Sequence, residues 1–358
     1  MAGSSMQPIP VVLLTGFLGA GKTTLLNQMI AEPGFADTAL IINEFGAVGI
    51  DAMLVEQADE GIVEMSDGCL CCTIRGDLAD TLERVLARNP ASNRIIIETT
   101  GLADPTPIVQ TLIGHPILCQ QVSLAAIVTV LDAVNGPDTL NRFEEARRQL
   151  AMADWVLISK TDHNDHQASQ ESALIERVTA TNPTARLVKN ETTKEAALLS
   201  QILAAPYTGT RDGIIAHGAH SHDHHHHHDV NQHGAIRAIC LEHAGPIDRA
   251  GFEGFVHALR ATQGEKLLRM KAVVQFTDAP DDWFIIHAAQ QIVDAPRPLD
   301  ASMGQTFQRP QVSTVVLVLD GGSPDYIQEL FNGFMNRPSI DTADRAALEN
   351  NPLAIPGV

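Results

Sequence analysis

Apolar and polar residues alternate in blocks along the first half of the chain. Short apolar runs predict buried strands at residues 11–15, 39–42, 94–97, 125–131 and 155–158. Helical spacing of apolar residues lies between them, at residues 23–31, 78–88 and 143–152. Continuous apolar strands separated by helices are typical of a parallel sheet covered on both faces. The pattern runs to about residue 205, and we predict an α/β domain at residues 1–215.

The pattern breaks at a histidine-rich segment and then resumes in a different form. Residues 217–233 hold nine of the fifteen histidines and no large core-forming residue, so we predict a flexible linker at 216–233. Beyond it, strand patterns and two amphipathic helices, one of them presenting Phe252 and Leu259 on a single face, predict a smaller α+β domain at 234–335. We expect the tail at 336–358 to be poorly ordered.

Length and charge narrow the class of protein. With 358 residues the chain is long enough for two domains, and a net charge of −19 argues against binding to nucleic acid or anionic membranes. The sequence contains no apolar run of the ~18 residues that a spanning helix needs. The start of the sequence also lacks a basic segment followed by an apolar one, so we expect a cytoplasmic protein.

A glycine-rich turn joins the first predicted strand to the first predicted helix. Residues 16–23, GFLGAGKT, match the phosphate-loop pattern completely and lie in the strand-to-helix context that the pattern requires. Backbone N–H groups of such a loop surround phosphate oxygens, while Lys22 reaches the β- and γ-phosphates and Thr23 gives its hydroxyl to Mg²⁺. The predicted phosphate-binding residues are Gly16, Gly19, Ala20, Gly21, Lys22, Thr23 and Thr24.

Two further segments complete the predicted nucleotide site. The strand at 94–97 leads into Glu98, whose carboxylate we expect near Mg²⁺, and Gly101 would let the backbone approach the γ-phosphate. Lys160 and Asp162 follow the strand at 155–158. A carboxylate at Asp162 would pair with the two N–H donors of guanine, which adenine does not offer, and the stem of Lys160 would cover the base. The sequence therefore predicts GTP as the nucleotide.

Three of the five cysteines form a candidate metal site. Cys69, Cys71 and Cys72 offer soft thiolate ligands, which favour Zn²⁺, Cu⁺ or iron–sulfur, and Glu44 or a histidine could complete the set. A cluster of small buried residues is the alternative interpretation. We expect the isolated Cys119 and Cys240 to be core residues.

The histidine-rich segment predicts weak metal contact. His222, His224 and His226 belong to an irregular run that could collect Zn²⁺, Ni²⁺, Co²⁺ or Cu²⁺ at low affinity. A solvated spacer is the alternative interpretation.

The motifs together resemble one known family. GFLGAGKTT at the start, INEFG at 42–46, GCLCC at 68–72, ETTGLADP at 98–105, SKTD at 159–162 and KLLRMK at 266–271 resemble the CobW-like P-loop GTPases, in particular the YjiA-type branch. The resemblance covers about residues 8–335. It implies a GTP-driven metallochaperone with zinc or cobalt at the C-x-C-C site. It also implies that Glu44 and Asp51 lie in nucleotide-responsive segments.

On this interpretation the candidate catalytic residues are Lys22, Glu98 and Glu44. The expected cofactors are GTP, Mg²⁺ and Zn²⁺ or Co²⁺, and the expected partners are a client metalloprotein and, as one candidate assembly, a second copy. No arginine finger or positioning glutamine can be assigned, so slow intrinsic turnover is expected. Two other classes stay open: a small-molecule kinase, and a zinc buffer or redox sensor with vestigial hydrolysis.

Overall fold

The first domain of this computed structural model is built on a parallel sheet. The structure describes residues 8–30, 35, 37–42, 62–64, 74–88, 92–161, 168–189, 236–299 and 312–335. Within these residues the sheet has seven strands in the order β3-β2-β4-β1-β5-β6-β7, and every neighbouring pair is parallel. The strands are β1 (Ile9–Thr15), β2 (Thr38–Ile42), β3 (Ile62–Glu64), β4 (Arg94–Glu98), β5 (Val122–Asp132), β6 (Trp155–Ser159) and β7 (Arg186–Lys189). The predicted α/β class is confirmed.

Helices connect these strands. They are α1 (Lys22–Ile30), α2 (Ile74–Arg88), α3 (Thr106–Gly114), α4 (Leu118–Gln121), α5 (Gly136–Arg142), α6 (Glu144–Met152) and α7 (Ala168–Thr181). The predicted helices correspond to α1, α2 and α6, and α4, α5 and α7 were not among the predictions. Helix α3 was also missed. It is buried on nearly every side, so its apolar residues form no stripe of helical period. The strand β3 was missed because three residues are too few to show a period.

The two faces of the sheet bury alternate residues of the same strand. Val11 and Leu13 of β1 pack into one core cluster with Ile95 of β4, while Val12 and Leu14 pack into the cluster on the opposite face. All five are fully or almost fully buried. Because both faces are covered, the strands read as unbroken apolar runs, which is the pattern from which they were predicted.

The second domain is an antiparallel sheet with helices on one face. It comprises β8 (Ile236–Ala244), α8 (Arg249–Gln263), β9 (Leu267–Phe276), β10 (Ala279–Ala289), β11 (Ile292–Val293), β12 (Arg297–Pro298), β13 (Val312–Asp320) and α9 (Pro324–Met335). The strand order is β11-β10-β9-β13-β8, and β12 pairs with β10. Phe255 of α8 and Phe331 of α9 contact each other edge-to-face and fill the core between helices and sheet. The predicted linker at 216–233 and tail at 336–358 lie outside the described residues.

Across both domains, none of the helices that the structure describes is long and apolar enough to cross a membrane.

A buried charge cluster joins the two domains. Met270, Ala272 and Val274 of β9 point into the core of the second domain, so Arg269 and Lys271, which alternate with them, project from the opposite face. Arg269 Nη2 and Lys271 Nζ each lie 2.8 Å from an oxygen of Asp154, which directly precedes β6. Arg269 also donates to the carbonyl of Met152 at the end of α6.

Asp154 also connects two strands of the first domain. Its Oδ2 accepts from the backbone N–H of Ile127 in β5 at 2.9 Å, and its carbonyl accepts from the N–H of Arg186 in β7. Burial alone would raise the pKa of the Asp154 carboxyl, but the charges of Arg269 and Lys271 hold that pKa well below its ordinary value. Burial lowers the pKa of Lys271 to about 8, with Arg269 adding to the effect against the pull of Asp154.

We predict that Asp154→Asn destabilises the whole chain by about 3 kcal/mol, because it leaves two buried cations without their carboxylate. The measurement is the free energy of unfolding in urea. The matched control is Asp278→Asn, which removes an exposed carboxylate from its pair with Arg249 and should leave stability almost unchanged, because water screens the pair.

The lowered pKa gives this prediction a pH dependence. Stability from Asp154 is fully present above the ordinary pKa of a carboxyl and is lost as the pH falls through the lower folded-state pKa. The difference between wild type and Asp154→Asn should therefore shrink in strong acid, where the carboxyl of the wild type takes up a proton. A difference that does not depend on pH would contradict an electrostatic role for Asp154.

Candidate functional site

The phosphate loop lies at the carboxyl edge of the parallel sheet. It leaves the end of β1, between the neighbouring strands β4 and β5, and enters α1. Gly16 has φ +143°, and a Cβ at this position would lie 2.4 Å from the carbonyl oxygen of Val130 in β5. Only glycine therefore lets the chain turn here. Gly19 and Gly21 also have positive φ, while Ala20 is buried and Thr24 is exposed at the start of α1.

Lys22 is folded back into the phosphate loop. Its Nζ donates to the carbonyl oxygens of Gly16 at 2.9 Å and Phe17 at 3.3 Å, and the side chain is buried. The loop thus already encloses a cation at its centre. An anion entering the loop would meet both this ammonium group and the N-terminus of α1.

Thr23 and Glu98 meet at the mouth of the same loop. Thr23 Oγ1 donates to Glu98 Oε1 at 2.9 Å, although the two residues are 75 positions apart in the chain. The parallel register of β1 and β4 causes this, because it places Leu14 beside Glu98. A hydroxyl and a carboxylate side by side supply the hard oxygen ligands that Mg²⁺ prefers, so these residues fit a magnesium site.

The segment after Glu98, residues 99–104, is termed here the Gly101 loop. Thr99 is tied to β1 through its N–H to the carbonyl of Leu14 and through its hydroxyl to that of Thr15 at 2.8 Å. A Cβ on Gly101 would lie 2.5 Å from the backbone nitrogen of Leu18. The Gly101 loop therefore packs directly against the phosphate loop.

Helix α6 supports the Gly101 loop from behind. Gln149 Nε2 donates to the carbonyl oxygens of Gly101 at 3.2 Å and Ala103 at 3.0 Å. One residue earlier, Arg148 forms ion pairs with Asp104 at 3.1 Å and with Asp320 of β13 at 3.2 Å. The same helix thus contacts the nucleotide-site loop and the second domain.

The turn after β6 is shaped around Lys160. This residue has φ +58°, a left-handed conformation that residues other than glycine rarely adopt. Its Nζ lies 2.7 Å from Asp132 Oδ2. Asp132 also accepts from the N–H groups of Val134 and Asn135. Burial alone would raise the pKa of Asp132, but the hydrogen bonds from Lys160, Asn135 and Val134 keep that pKa below its ordinary value.

Ser159, at the end of β6, links this turn to the phosphate loop. Its Oγ donates to the carbonyl of Ala20 at 2.6 Å. The carboxyl ends of β1, β4, β5 and β6 therefore bring four sequence segments to one edge of the sheet, where ligands of open parallel sheets bind.

Several predicted site residues lie outside the described part of the chain. They are Glu44, Asp162, Cys69, Cys71, Cys72, His222, His224 and His226. Among the residues that are described, no group of three or more His, Cys, Asp or Glu side chains has metal-ligand geometry.

The isolated cysteines are less buried than expected. Cys119 and Cys240 are both free thiols of intermediate exposure, so the prediction that they are core residues was wrong in degree. Cys119 lies on a four-residue helix at the surface, and its Sγ contacts the carbonyl of Pro116 at 3.7 Å. Burial raises the pKa of the Cys240 thiol to about 11, which makes this thiol a poor nucleophile.

Three residues with contacts in the site were missed from the sequence, namely Asp132, Arg148 and Gln149. Asp132 ends a predicted strand, as Glu98 does, and that shared position was a usable signal. The side chains of Arg148 and Gln149 contact the Gly101 loop 44 or more positions away, and the sequence carries no local sign of these contacts.

Both domains match models of known protein families. Residues 10–189 match the model of the CobW/HypB/UreG nucleotide-binding domain, and residues 236–335 match that of the cobalamin synthesis protein CobW C-terminal domain. The zinc chaperone YjiA of Escherichia coli K12 is 32% identical over 280 residues, which are 77% of this chain and 85% of that protein.

Two further proteins extend this similarity. The zinc-regulated GTPase metalloprotein activator 1 of Schizosaccharomyces pombe is 36% identical over 166 residues, which are 44% of this chain and 40% of that protein. The crystal structure of the zinc-bound YjiA GTPase from E. coli matches with a TM-score of 0.60 at 28% identity, over 92% of this chain and 99% of that one.

The packing of the Gly101 loop gives a prediction about stability. Gly101→Ala should cost about 1–3 kcal/mol in nucleotide-free protein, because the added Cβ would meet the backbone of Leu18. Urea unfolding measures the change.

Gly333→Ala in α9 is the matched control. Nothing lies within 4 Å of its added Cβ, and alanine favours the helix, so stability should stay the same or rise by up to about 1 kcal/mol. Equal effects of the two substitutions would contradict a close approach at Gly101.

Proposed function

This chain belongs to the CobW family of nucleotide-binding proteins, and from that premise we propose that it is a GTP-hydrolysing zinc chaperone. It would bind the metal at the C-x-C-C motif and deliver it to a client protein under control of the nucleotide state. Cobalt is the alternative metal. The printed names of the relatives, zinc chaperone and metalloprotein activator, support both the metal and the client.

One contact carries the nucleotide half of this proposal. The hydrogen bond of 2.9 Å between Thr23 and Glu98 joins the end of the phosphate loop to the end of β4, beside the buried ammonium group of Lys22. A structural turn has no need of a buried cation within the loop and a hydroxyl–carboxylate pair at its end. Binding of a nucleoside triphosphate explains all three together.

Each residue of the site then has a separate task. The N–H groups of the phosphate loop and Lys22 would hold the phosphates, and Gly101 would bring the backbone to the γ-phosphate. Thr23 and Glu98 would hold Mg²⁺, which when bound neutralises charge on the phosphates. The stem of Lys160 would cover the base, while Asp162 would accept hydrogen bonds from guanine.

Hydrolysis by this set of residues should be slow. Lys22 is the one cation that the described part of the site directs at the phosphates, so charge in the transition state would be incompletely stabilised. Glu44 is proposed to act with Lys22 and Glu98 from a segment that responds to nucleotide. Metal, a second copy of the chain or the client would then raise the rate.

The metal half of the proposal rests on sequence and on the relatives. Cys69, Cys71 and Cys72 lie between the phosphate loop and Glu98, in the stretch that γ-phosphate contacts would order. Zinc affinity would therefore depend on nucleotide, and by linkage GTP affinity would depend on zinc. His222, His224 and His226 are proposed as weak auxiliary contacts. We propose a cytoplasmic location, where GTP and a client are both available.

Nucleotide turnover is the first test. Purified chain should hydrolyse GTP slowly and ATP not measurably, and Lys22→Ala should lower the GTP rate by about 100-fold, because it removes the cation from the phosphates. Phosphate release under single-turnover conditions is the measurement. Lys266→Ala, at an exposed lysine, is the control and should leave the rate unchanged.

The same assay separates the alternatives. ATP hydrolysis as fast as GTP hydrolysis, or turnover that requires an added acceptor, would favour a small-molecule kinase. An absence of turnover with and without zinc, together with retained zinc binding, would favour a zinc buffer or sensor.

Metal binding is the second test. Zinc affinity should differ by about fivefold or more between protein bound to a nonhydrolysable GTP analogue and protein bound to GDP, a coupling of ordinary allosteric size. A competition titration with a chromogenic chelator measures the zinc affinity in each nucleotide state. Cys71→Ala should abolish stoichiometric binding, and Cys119→Ala is the matched cysteine control. Equal affinities in the two nucleotide states would rule out the coupling.

A further inference from the structure

We propose that Gln149 is a positioning residue for the γ-phosphate. Its side-chain amide holds the Gly101 loop in the conformation that presents backbone N–H groups to the nucleotide. This inference rests on the proposed GTPase function and deepens it, since it assigns to the nucleotide site a residue that no sequence motif of the site includes.

The buried side chain of Gln149 donates hydrogen bonds to the backbone of the Gly101 loop. The residue is 1% exposed, so its amide is fully removed from solvent. Nε2 donates to two carbonyl oxygens of one short loop, those of Gly101 and Ala103, at 3.2 and 3.0 Å. A third carbonyl, that of Thr100, accepts from the N–H of Ala103 at 3.1 Å. These three hydrogen bonds therefore fix the carbonyls of Thr100, Gly101 and Ala103.

Fixing these carbonyls also orients the amides. In a trans peptide the C=O and the N–H point in opposite directions, and the described residues contain no cis peptide bond. When Gln149 holds the carbonyl of Gly101, the N–H of Leu102 in the same peptide must point away from α6. The tight packing of Gly101 on Leu18 then sets how far the loop can move toward the phosphate loop.

The helix that carries Gln149 is itself anchored. The carbonyl of Gln149 accepts from Thr129 Oγ1 of β5 at 2.8 Å. The ring of Phe143, at the start of α6, lies 4.5 Å from the ring of Phe17 in the phosphate loop. Asn182 holds three carbonyls at the other end of the helix, those of Leu150, Ala151 and Ala153. Gln149 therefore extends from a fixed support, as a positioning role requires.

This arrangement predicts a selective effect on the triphosphate. A GDP molecule has no γ-phosphate, so the orientation of the Gly101 loop should matter to a GTP analogue and not to GDP. Loss of general stability would instead weaken both nucleotides together. The ratio of the two affinities thus distinguishes positioning from folding.

The test uses the full chain with Gln149→Leu, which keeps the size of the side chain and removes its donor. Affinities for a fluorescent nonhydrolysable GTP analogue and for fluorescent GDP, each with Mg²⁺, are measured by titration. We expect affinity for the analogue to fall about tenfold and affinity for GDP to fall less than about twofold, since a lost polar contact of ordinary strength is worth that factor.

Two further variants complete the experiment. Gln149→Asn keeps the amide on a shorter stem and should retain more of the analogue affinity than Gln149→Leu. Gln120→Leu is the matched control, because Gln120, on the surface helix α4, donates from Nε2 to the carbonyl of Pro116 at 3.1 Å, outside the Gly101 loop. It should leave both affinities unchanged.

The outcomes are distinct. Equal losses for analogue and GDP in Gln149→Leu, or no loss for either, would overturn the proposal while leaving the GTPase function in place. If Gln149→Leu does not fold, Gln149→Asn decides by the same ratio. Wild-type protein that binds neither nucleotide would overturn the proposed function and this inference with it.

Discussion

The parallel register of β1 with β4 is the constraint on which the proposed nucleotide site depends. It sets Leu14 beside Glu98, so the last residues of both strands reach the same edge of the sheet. Thr23 then meets Glu98, and Thr99 meets Thr15, although each pair is separated by 75 positions or more. A shift of one residue would turn Glu98 to the other face of the sheet and place an apolar neighbour at the phosphate loop.

Helix α6 is the element that connects this edge with the rest of the molecule. Gln149 contacts the Gly101 loop, Arg148 contacts both that loop and Asp320 of the second domain, and the carbonyl of Met152 accepts from Arg269. The Arg148 pairs are partly exposed and contribute little to stability by themselves. Their geometry nevertheless means that the second domain and the Gly101 loop both contact the same nine-residue helix.

The sequence predicted what depends on neighbouring residues and missed what depends on distant ones. The phosphate loop, Glu98 and the turn at Lys160 follow strands whose apolar runs are visible in the sequence, so their convergence followed from the parallel sheet. Asp154 could not be found in this way, because its partners lie 115 and 117 positions away and the residue precedes an unremarkable strand. The segment KLLRMK was recognised through resemblance alone. Its physical role, two cations facing a buried carboxylate, came from the structure.

The charge cluster at Asp154 bears on how the protein can be divided. A fragment ending after β7 would retain Asp154, which still holds the N–H of Ile127, but would lose both cations that balance it. The complementary fragment would present Arg269 and Lys271 on a sheet face together with the apolar Val316 and Val318. The first fragment would expose a carboxylate without its cations, and the second would expose two cations without their carboxylate. Separating the two domains would therefore leave charged groups of this cluster without their partners in both halves.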